Sequence, residues 1–261
     1  MIRSITILGG RGKSGEVEPV PRIDLHMGDV VSIVGPTGSG KSTLINDLEL
    51  FADANTPTGR RILINGAPPP QEYREDPARH PIALITQHTT FLSDLPVKDF
   101  LSAHARIRSL DHAQIPQMVD RTLAFANQLT GEPIVVTSRM TELSGGQARA
   151  LLIADATIIC NTPIVLLDEV ENAGIHRSRA LEMLRQHSKI FIFVTHDPRI
   201  ALLSDFRIVM KRGSMSRLLC TSEEERRCSF KVSKLDDLLS QMREKIRMGE
   251  RLTGNELEGL A

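Results

Sequence analysis

Three short stretches of this sequence carry residues whose types and spacing can do chemistry. The first is Gly35-Pro36-Thr37-Gly38-Ser39-Gly40-Lys41-Ser42-Thr43, which follows an apolar run and precedes a helical pattern. Its glycines and its Lys-Ser pair have the spacing of a phosphate-cradling loop, and strand-loop-helix is the context that confirms one. Glycine lets backbone N–H groups converge on phosphate oxygens with no Cβ in the way. The helix start adds a dipole that favours an anion. In such a loop Lys41 reaches the terminal phosphates and Ser42 ligates Mg²⁺. Upstream, Gly9-Gly10-Arg11-Gly12-Lys13-Ser14 looks similar, but the residue five before Gly12 is Ile7, so this stretch reads as a turn.

The second stretch is Ile164-Val165-Leu166-Leu167-Asp168-Glu169, a buried strand ending in two carboxylates. Asp168 at the strand end is placed to hold Mg²⁺ through water. Glu169 can accept a proton from an attacking water. The third is Leu143-Ser144-Gly145-Gly146-Gln147, ahead of a helical stretch over Ala148–Ile159. Ser144 there combines a hydroxyl with the free N–H groups of a helix start, a second place where an anion can bind.

The elements that must position these residues follow an α/β pattern. Strands are predicted at Arg3–Leu8, Val30–Val34, Arg61–Asn65, Ile82–Thr86, Ile164–Leu167 and Lys189–Thr195. Helices are predicted at Lys41–Leu50 and about Arg177–His187, and helical periodicity runs from about Pro96 to Thr130. Apolar strands alternating with helices indicate a parallel sheet covered on both faces. From about Ser214 the pattern changes, and Ser233–Met248 places Leu235, Leu238, Leu239, Met242 and Ile246 on one face of a docking helix.

Composition narrows the class. Lys+Arg and Asp+Glu both number 32, so broad nucleic-acid binding is not expected. Cys160, Cys220 and Cys228 are too few and too irregularly spaced for a disulfide framework or a zinc site and read as free thiols. No apolar run approaches the roughly 20 residues of a membrane span, and the chain opens as a strand pattern rather than a signal segment. A cytoplasmic protein is expected, possibly peripheral on the inner face of a membrane through a partner.

With the Ser-Gly-Gly-Gln stretch in place, the sequence resembles the ATP-binding-cassette ATPases over residues 1–213. The resemblance implies a P-loop NTPase domain of that type: a mostly parallel core sheet, an antiparallel N-terminal β subdomain and an inserted helical subdomain at about residues 90–145. Residues 214–261 would form a C-terminal extension. It implies ATP and Mg²⁺ as ligands, Gln87 as a contact to Mg²⁺ and the attacking water, and His196 as a contact to the γ-phosphate. It also implies a second cassette as partner in a homodimer, each ATP lying between one phosphate loop and the other chain's Ser144 and Gly146. The segment from Phe91 to Leu101 resembles the part that receives a membrane subunit, which favours a transporter ATPase; the alternative is a soluble cassette serving a protein machine. After Glu169 the chain reads Val170-Glu171-Asn172-Ala173-Gly174-Ile175 where the family usually has Pro-Thr-Ser-Ala-Leu-Asp. No Phe, Tyr or Trp precedes Phe51 to stack on adenine, leaving the Arg11–Val17 region to serve. Base selection is therefore expected to be weak: hydrolysis of ATP and GTP compared side by side should differ little, and a strong preference for ATP would contradict this reading.

Overall fold

The computed structural model describes residues 1–86, 88–89, 91–108, 111–168 and 177–252. A three-stranded antiparallel sheet is built from β1 (Ser4–Leu8), flanked by β2 (Arg22–His26) and β4 (Arg61–Ile64). A six-stranded sheet has the order β5-β6-β7-β3-β8-β9, with β3 at Val30–Val34, β5 at Ile82–Ile85, β6 at Ile164–Asp168, β7 at Ile190–Val194, β8 at Phe206–Lys211 and β9 at Ser214–Cys220. Its first five strands run parallel, and β9 pairs antiparallel with β8. The expected mix of a mostly parallel core and a separate antiparallel sheet is what the chain forms. β9 lies beyond the boundary expected at residue 213, so the core sheet continues past it through a tight Arg212-Gly213 turn.

The central strands are almost wholly apolar, Ser32 in β3 apart, because both faces are covered. Side chains alternate along a strand. Ile164, Leu166, Ile190, Ile192, Val31 and Ile33 pack with β1, β2 and the helix α1 (Lys41–Glu49). Val165, Leu167, Phe191, Phe193 and Val30 face the other way, onto α3 (Val97–Ile107), α4 (Ile115–Leu129) and α5 (Gly145–Thr157). A short α2 (Glu72–Glu75) precedes β5; α6 (Arg177–Arg185) and α7 (Pro198–Leu203) flank β7.

The tail helix α8 runs from Glu223 to Arg247, starting earlier than its apolar periodicity indicates. Leu235, Leu239 and Ile246 remain exposed. What ties α8 to the rest of the chain includes charge pairs: Arg199 on α7 to Asp236 at 2.6 Å, and Arg207 on β8 to Glu225. Among the described residues no helix is long and apolar enough to cross a membrane.

One buried ion network joins the layers. Arg60 is 0 % exposed; its guanidinium meets Glu18 Oε1 at 2.6 Å, Asp47 Oδ2 on α1 at 2.8 Å and the Gly213 carbonyl at 2.8 Å. Glu18 also accepts N–H bonds from Gly10 and from Met215 on β9. Burial pushes the Glu18 carboxyl up, but Arg60 and these N–H donors outweigh burial and hold it below the usual range. A depressed carboxylate stabilises the fold above its unfolded pKa, and that contribution is lost as pH falls through the folded value. Arg60→Met strands two buried carboxylates and should cost about 3–5 kcal/mol in urea unfolding at neutral pH, with a shrinking deficit as Glu18 protonates in acid. A loss under about 1 kcal/mol, the size of a surface pair, would show that the network braces nothing.

Candidate nucleotide site

The phosphate loop leaves β3 at Val34 and enters α1 at Lys41. Gly35 and Gly40 are required where they stand. Gly35 has φ +151 and Gly40 φ +101, in the region that favours glycine, and a Cβ would meet the Met210 carbonyl oxygen at 2.4 Å or Gly213 Cα at 2.8 Å. The β8–β9 turn is thus pressed against the loop, and Gly213 N donates to Ser39 O at 2.7 Å. Through the Gly213 carbonyl the Arg60 network braces the same contact. Pro36, Thr37 and Gly38 form the exposed crest of the loop, and Ser42 and Thr43 are exposed at the helix start.

The loop suits an anion. Gly40 caps α1 without a side-chain hydrogen bond, and the first turn holds no acidic residue, so neither the cap nor the first turn itself offsets the positive end of the helix dipole. The Lys41 ammonium is buried, donating to the carbonyls of Gly35 at 2.9 Å and Pro36 at 3.3 Å. Neutral carbonyls offset a buried cation only in part, and phosphate oxygens would complete it. Ser39 Oγ is buried with no hydrogen-bond partner.

Sheet register brings the other residues to this edge. Ile33 pairs with Val194, and Val194 with Asp168, so the start of the loop, the end of β6 and the end of β7 lie side by side at the carboxyl edge. Asp168 is half-buried there. His196, two residues past β7, is exposed between buried Thr195 and Asp197. Asp197 N donates to Thr195 Oγ1 at 2.8 Å, and the Asp197 carboxylate caps α7 by accepting from Arg199 N at 2.8 Å, which fixes the backbone around His196. Gln87 and Glu169 lie outside the described residues, as does Val170–Ile175; their sequence neighbours Thr86 and Asp168 flank the same edge, since Ile85 pairs with Leu167.

Ser144, Gly145, Gly146 and Gln147 form the start of α5. Ser144 is the N-cap: its Oγ accepts from Gln147 N at 3.3 Å, and its own N–H donates to Gln147 Oε1 at 2.9 Å. This capping box satisfies the local backbone and leaves the Ser144 hydroxyl proton free to be donated. Ser144 and Gly145 are exposed.

One contact at the site goes beyond the sequence reading, which expected the Arg11–Val17 region only near the base. The Gly9–Gly15 stretch is a turn, as its spacing indicates, but it folds against the phosphate loop: Lys13 Nζ donates to Gly38 O at 2.9 Å, and Lys13 N donates to Arg212 O. The signal was its cation and its glycines, which the phosphate-loop pattern alone discards.

Comparison with known proteins identifies the family. The family model described as ABC transporter matches residues 21–172. An uncharacterized ABC transporter ATP-binding protein of Methanocaldococcus jannaschii is 47 % identical over 98 % of this chain and 97 % of its own length. A sulfate/thiosulfate import ATP-binding protein of Thermosynechococcus vestitus is 29 % identical over 82 % of this chain, which spans 63 % of that relative. Among solved structures, a dimeric ATP-binding cassette in a post-hydrolysis state with ADP and Pi superposes with a TM-score of 0.63 at 20 % identity, covering 84 % of this chain and 99 % of the other, a likeness of fold. On the family match and the near-full-length relative, the chain belongs to the ABC transporter family and is an ATP-binding-cassette ATPase.

Proposed function

We propose that the chain is the ATP-hydrolysing subunit of a membrane transporter and works as a head-to-tail pair of identical cassettes. The observation that carries the reading is the division of labour in the site. One sheet edge gathers Gly35–Thr43, Asp168 and His196, while an exposed, self-capped helix start with a free hydroxyl proton sits on a different element, at Ser144. A chain whose own loop already grips the phosphates has use for a second anion-binding helix start only on another chain's nucleotide. The dimeric cassette among the solved structures supports the same arrangement. Two-fold symmetry then completes both sites with one loop and one Ser144 per chain.

Within each site, residues 35–43 bind the triphosphate and Lys41 exchanges its carbonyl partners for β- and γ-phosphate oxygens. Ser42, Asp168 and Gln87 would hold Mg²⁺, which when bound neutralises charge on the phosphates. Glu169 accepts a proton from the attacking water, Gln87 helps orient that water, and His196 contacts the γ-phosphate. Ser144, with Gly145, Gly146 and Gln147 behind it, closes the opposite side and excludes water. The Arg11–Val17 region would serve in place of the missing adenine-stacking aromatic, by Arg stacking. The catalytic unit takes in residues 1–213 with β9, with an inserted helical part at about 90–145, and α8 and the residues after it form the extension. Fully exposed Leu92 and half-exposed Leu95, beside the Phe91–Phe100 ring pair, support a partner surface facing a membrane-spanning subunit.

Three variants test the site. Glu169→Gln should lower ATP turnover by about 10²–10⁴-fold and accumulate an ATP-bound dimer on gel filtration. Lys41→Ala should abolish nucleotide-dependent pairing. Ser144→Arg should bind ATP as a monomer without turnover. Undiminished hydrolysis in Glu169→Gln removes Glu169 from the chemistry, and a chain that stays monomeric with Mg-ATP in every form removes the paired site. Affinity purification in mild detergent should bring down a multi-span protein; a soluble enzyme in its place would overturn the transport role.

A further inference from the structure

A second cluster of chemically active side chains lies away from the nucleotide edge, where α3 crosses the end of α5. His104 projects from α3, Asp155 from the last turns of α5, and Cys160 from the turn that joins α5 to β6. One ligand atom from each lies within 4.8 Å of the other two. Cys160 Sγ is 3.6 Å from Asp155 Oδ2 and 3.9 Å from His104 Nε2. Two ligands of a tetrahedral ion with bonds of about 2.0–2.3 Å stand roughly 3.5 Å apart, so the spacing around the sulfur is already that of a coordination shell.

We infer that His104, Asp155 and Cys160 form a binding site for a zinc-class divalent cation, with the fourth coordination position open to the neighbouring cleft. That cleft holds about 620 Å³ and is lined by Asp155 and Cys160 along with Tyr73, Leu84 and Leu152. A thiolate, an imidazole and a carboxylate together select zinc over magnesium or calcium, which take oxygen ligands. Three protein ligands and one open position is also a familiar zinc arrangement.

Two observations separate this cluster from an ordinary ion pair. Asp155 is only 6 % exposed, yet its Oδ1 has no hydrogen-bond partner. His104 Nδ1 lies 2.8 Å from Asp155 Oδ2 but makes no hydrogen bond, the contact being off the line one requires. A buried carboxylate oxygen left unsatisfied is costly, and a cation between the three groups would satisfy it.

The geometry is preorganised by the backbone. Cys160 N donates to Asp155 O at 2.9 Å and Thr162 N to Ala156 O, wrapping the turn around the end of α5. Asn161 takes φ 46, and Lys189 Nζ locks it by donating to Asn161 Oδ1 at 2.7 Å and to Thr162 O at 2.9 Å. Arg74 and Arg108 also face the cleft, but each donates to a backbone carbonyl, Phe51 O and Ala78 O respectively. They would favour an anionic fourth ligand or hydroxide over neutral water. A bound cation would clamp α3 to the root of β6.

The test uses the full chain carrying Cys220→Ser and Cys228→Ser, both exposed positions, so that Cys160 is the sole thiol. Without nucleotide, Co²⁺ should bind at one equivalent with a sulfur-to-cobalt charge-transfer band that Zn²⁺ abolishes. Adding Cys160→Ser should remove the band, and His104→Gln or Asp155→Asn should weaken Zn²⁺ binding by more than the roughly 10–100-fold typical of losing a ligand's hydrogen-bond partner in competition with a chromophoric chelator. Circular dichroism of each variant separates lost ligands from lost fold, and with three variants one that stays folded decides the matter. No saturable Co²⁺ binding overturns the proposal, as does a charge-transfer band that survives Cys160→Ser. Rapid alkylation of Cys160 unaffected by Zn²⁺ also overturns it and assigns the cluster to a reactive thiolate–imidazolium pair.

Discussion

A guanidinium with no access to water sets the frame of this molecule. Arg60 lies at the junction of three pieces: the loop after β1, which brings Glu18; the helix after the phosphate loop, which brings Asp47; and the β8–β9 turn, which brings the Gly213 carbonyl. Burying such a charge is expensive unless each donor is met, and here four contacts to carboxylates and a carbonyl are arranged around one planar group. Shape follows from that requirement. The antiparallel sheet cannot slide over the central sheet without uncovering a carboxylate, and the turn that supports the phosphate loop cannot lift away without uncovering the guanidinium.

The site inherits its precision from the alternation of the central strands. Each strand is apolar on both faces, so it is fixed between two cores and cannot rotate, and every strand end projects in one plane. Chemistry is therefore confined to the carboxyl edge, where the backbone stops being sheet. Asp168 and His196 come from segments far apart in the chain and become neighbours through hydrogen-bond register alone.

Much of this was legible in the sequence, because the relevant signals are local. Val30–Val34 and Ile164–Asp168 are continuous apolar runs with a glycine loop or carboxylates at their ends, and each pattern carries its own structural context. β2, β8 and β9 were not anticipated: Arg22–His26 alternates over only five residues, and Ser214–Cys220 is an edge strand whose exposed second half carries little apolar signal. Arg60 reads as one of many arginines until the fold surrounds it. The Gly9–Ser14 stretch read only as a turn because its glycines miss the phosphate-loop spacing, while the contact of Lys13 with the loop depends on where the chain folds back. The same applies to His104, Asp155 and Cys160: the spacing of the cysteines argued against zinc, but the set is drawn from a helix face, a helix end and a turn, and no one-dimensional spacing rule covers such a set. The apolar face of α8 was visible in the sequence, but periodicity cannot tell whether such a face is covered, and in the folded chain much of it is not.

The pairing of Arg199 with Asp236 ties the tail to the helix that follows His196. Arg199 lies three residues after His196, on the helix that Asp197 caps, and it grips α8 near its middle. A 25-residue helix is about 37 Å long. It is also held at its first turn, where Arg207 on β8 pairs with Glu225, so a tilt of α7 would be carried mainly into the half of α8 that lies beyond Asp236.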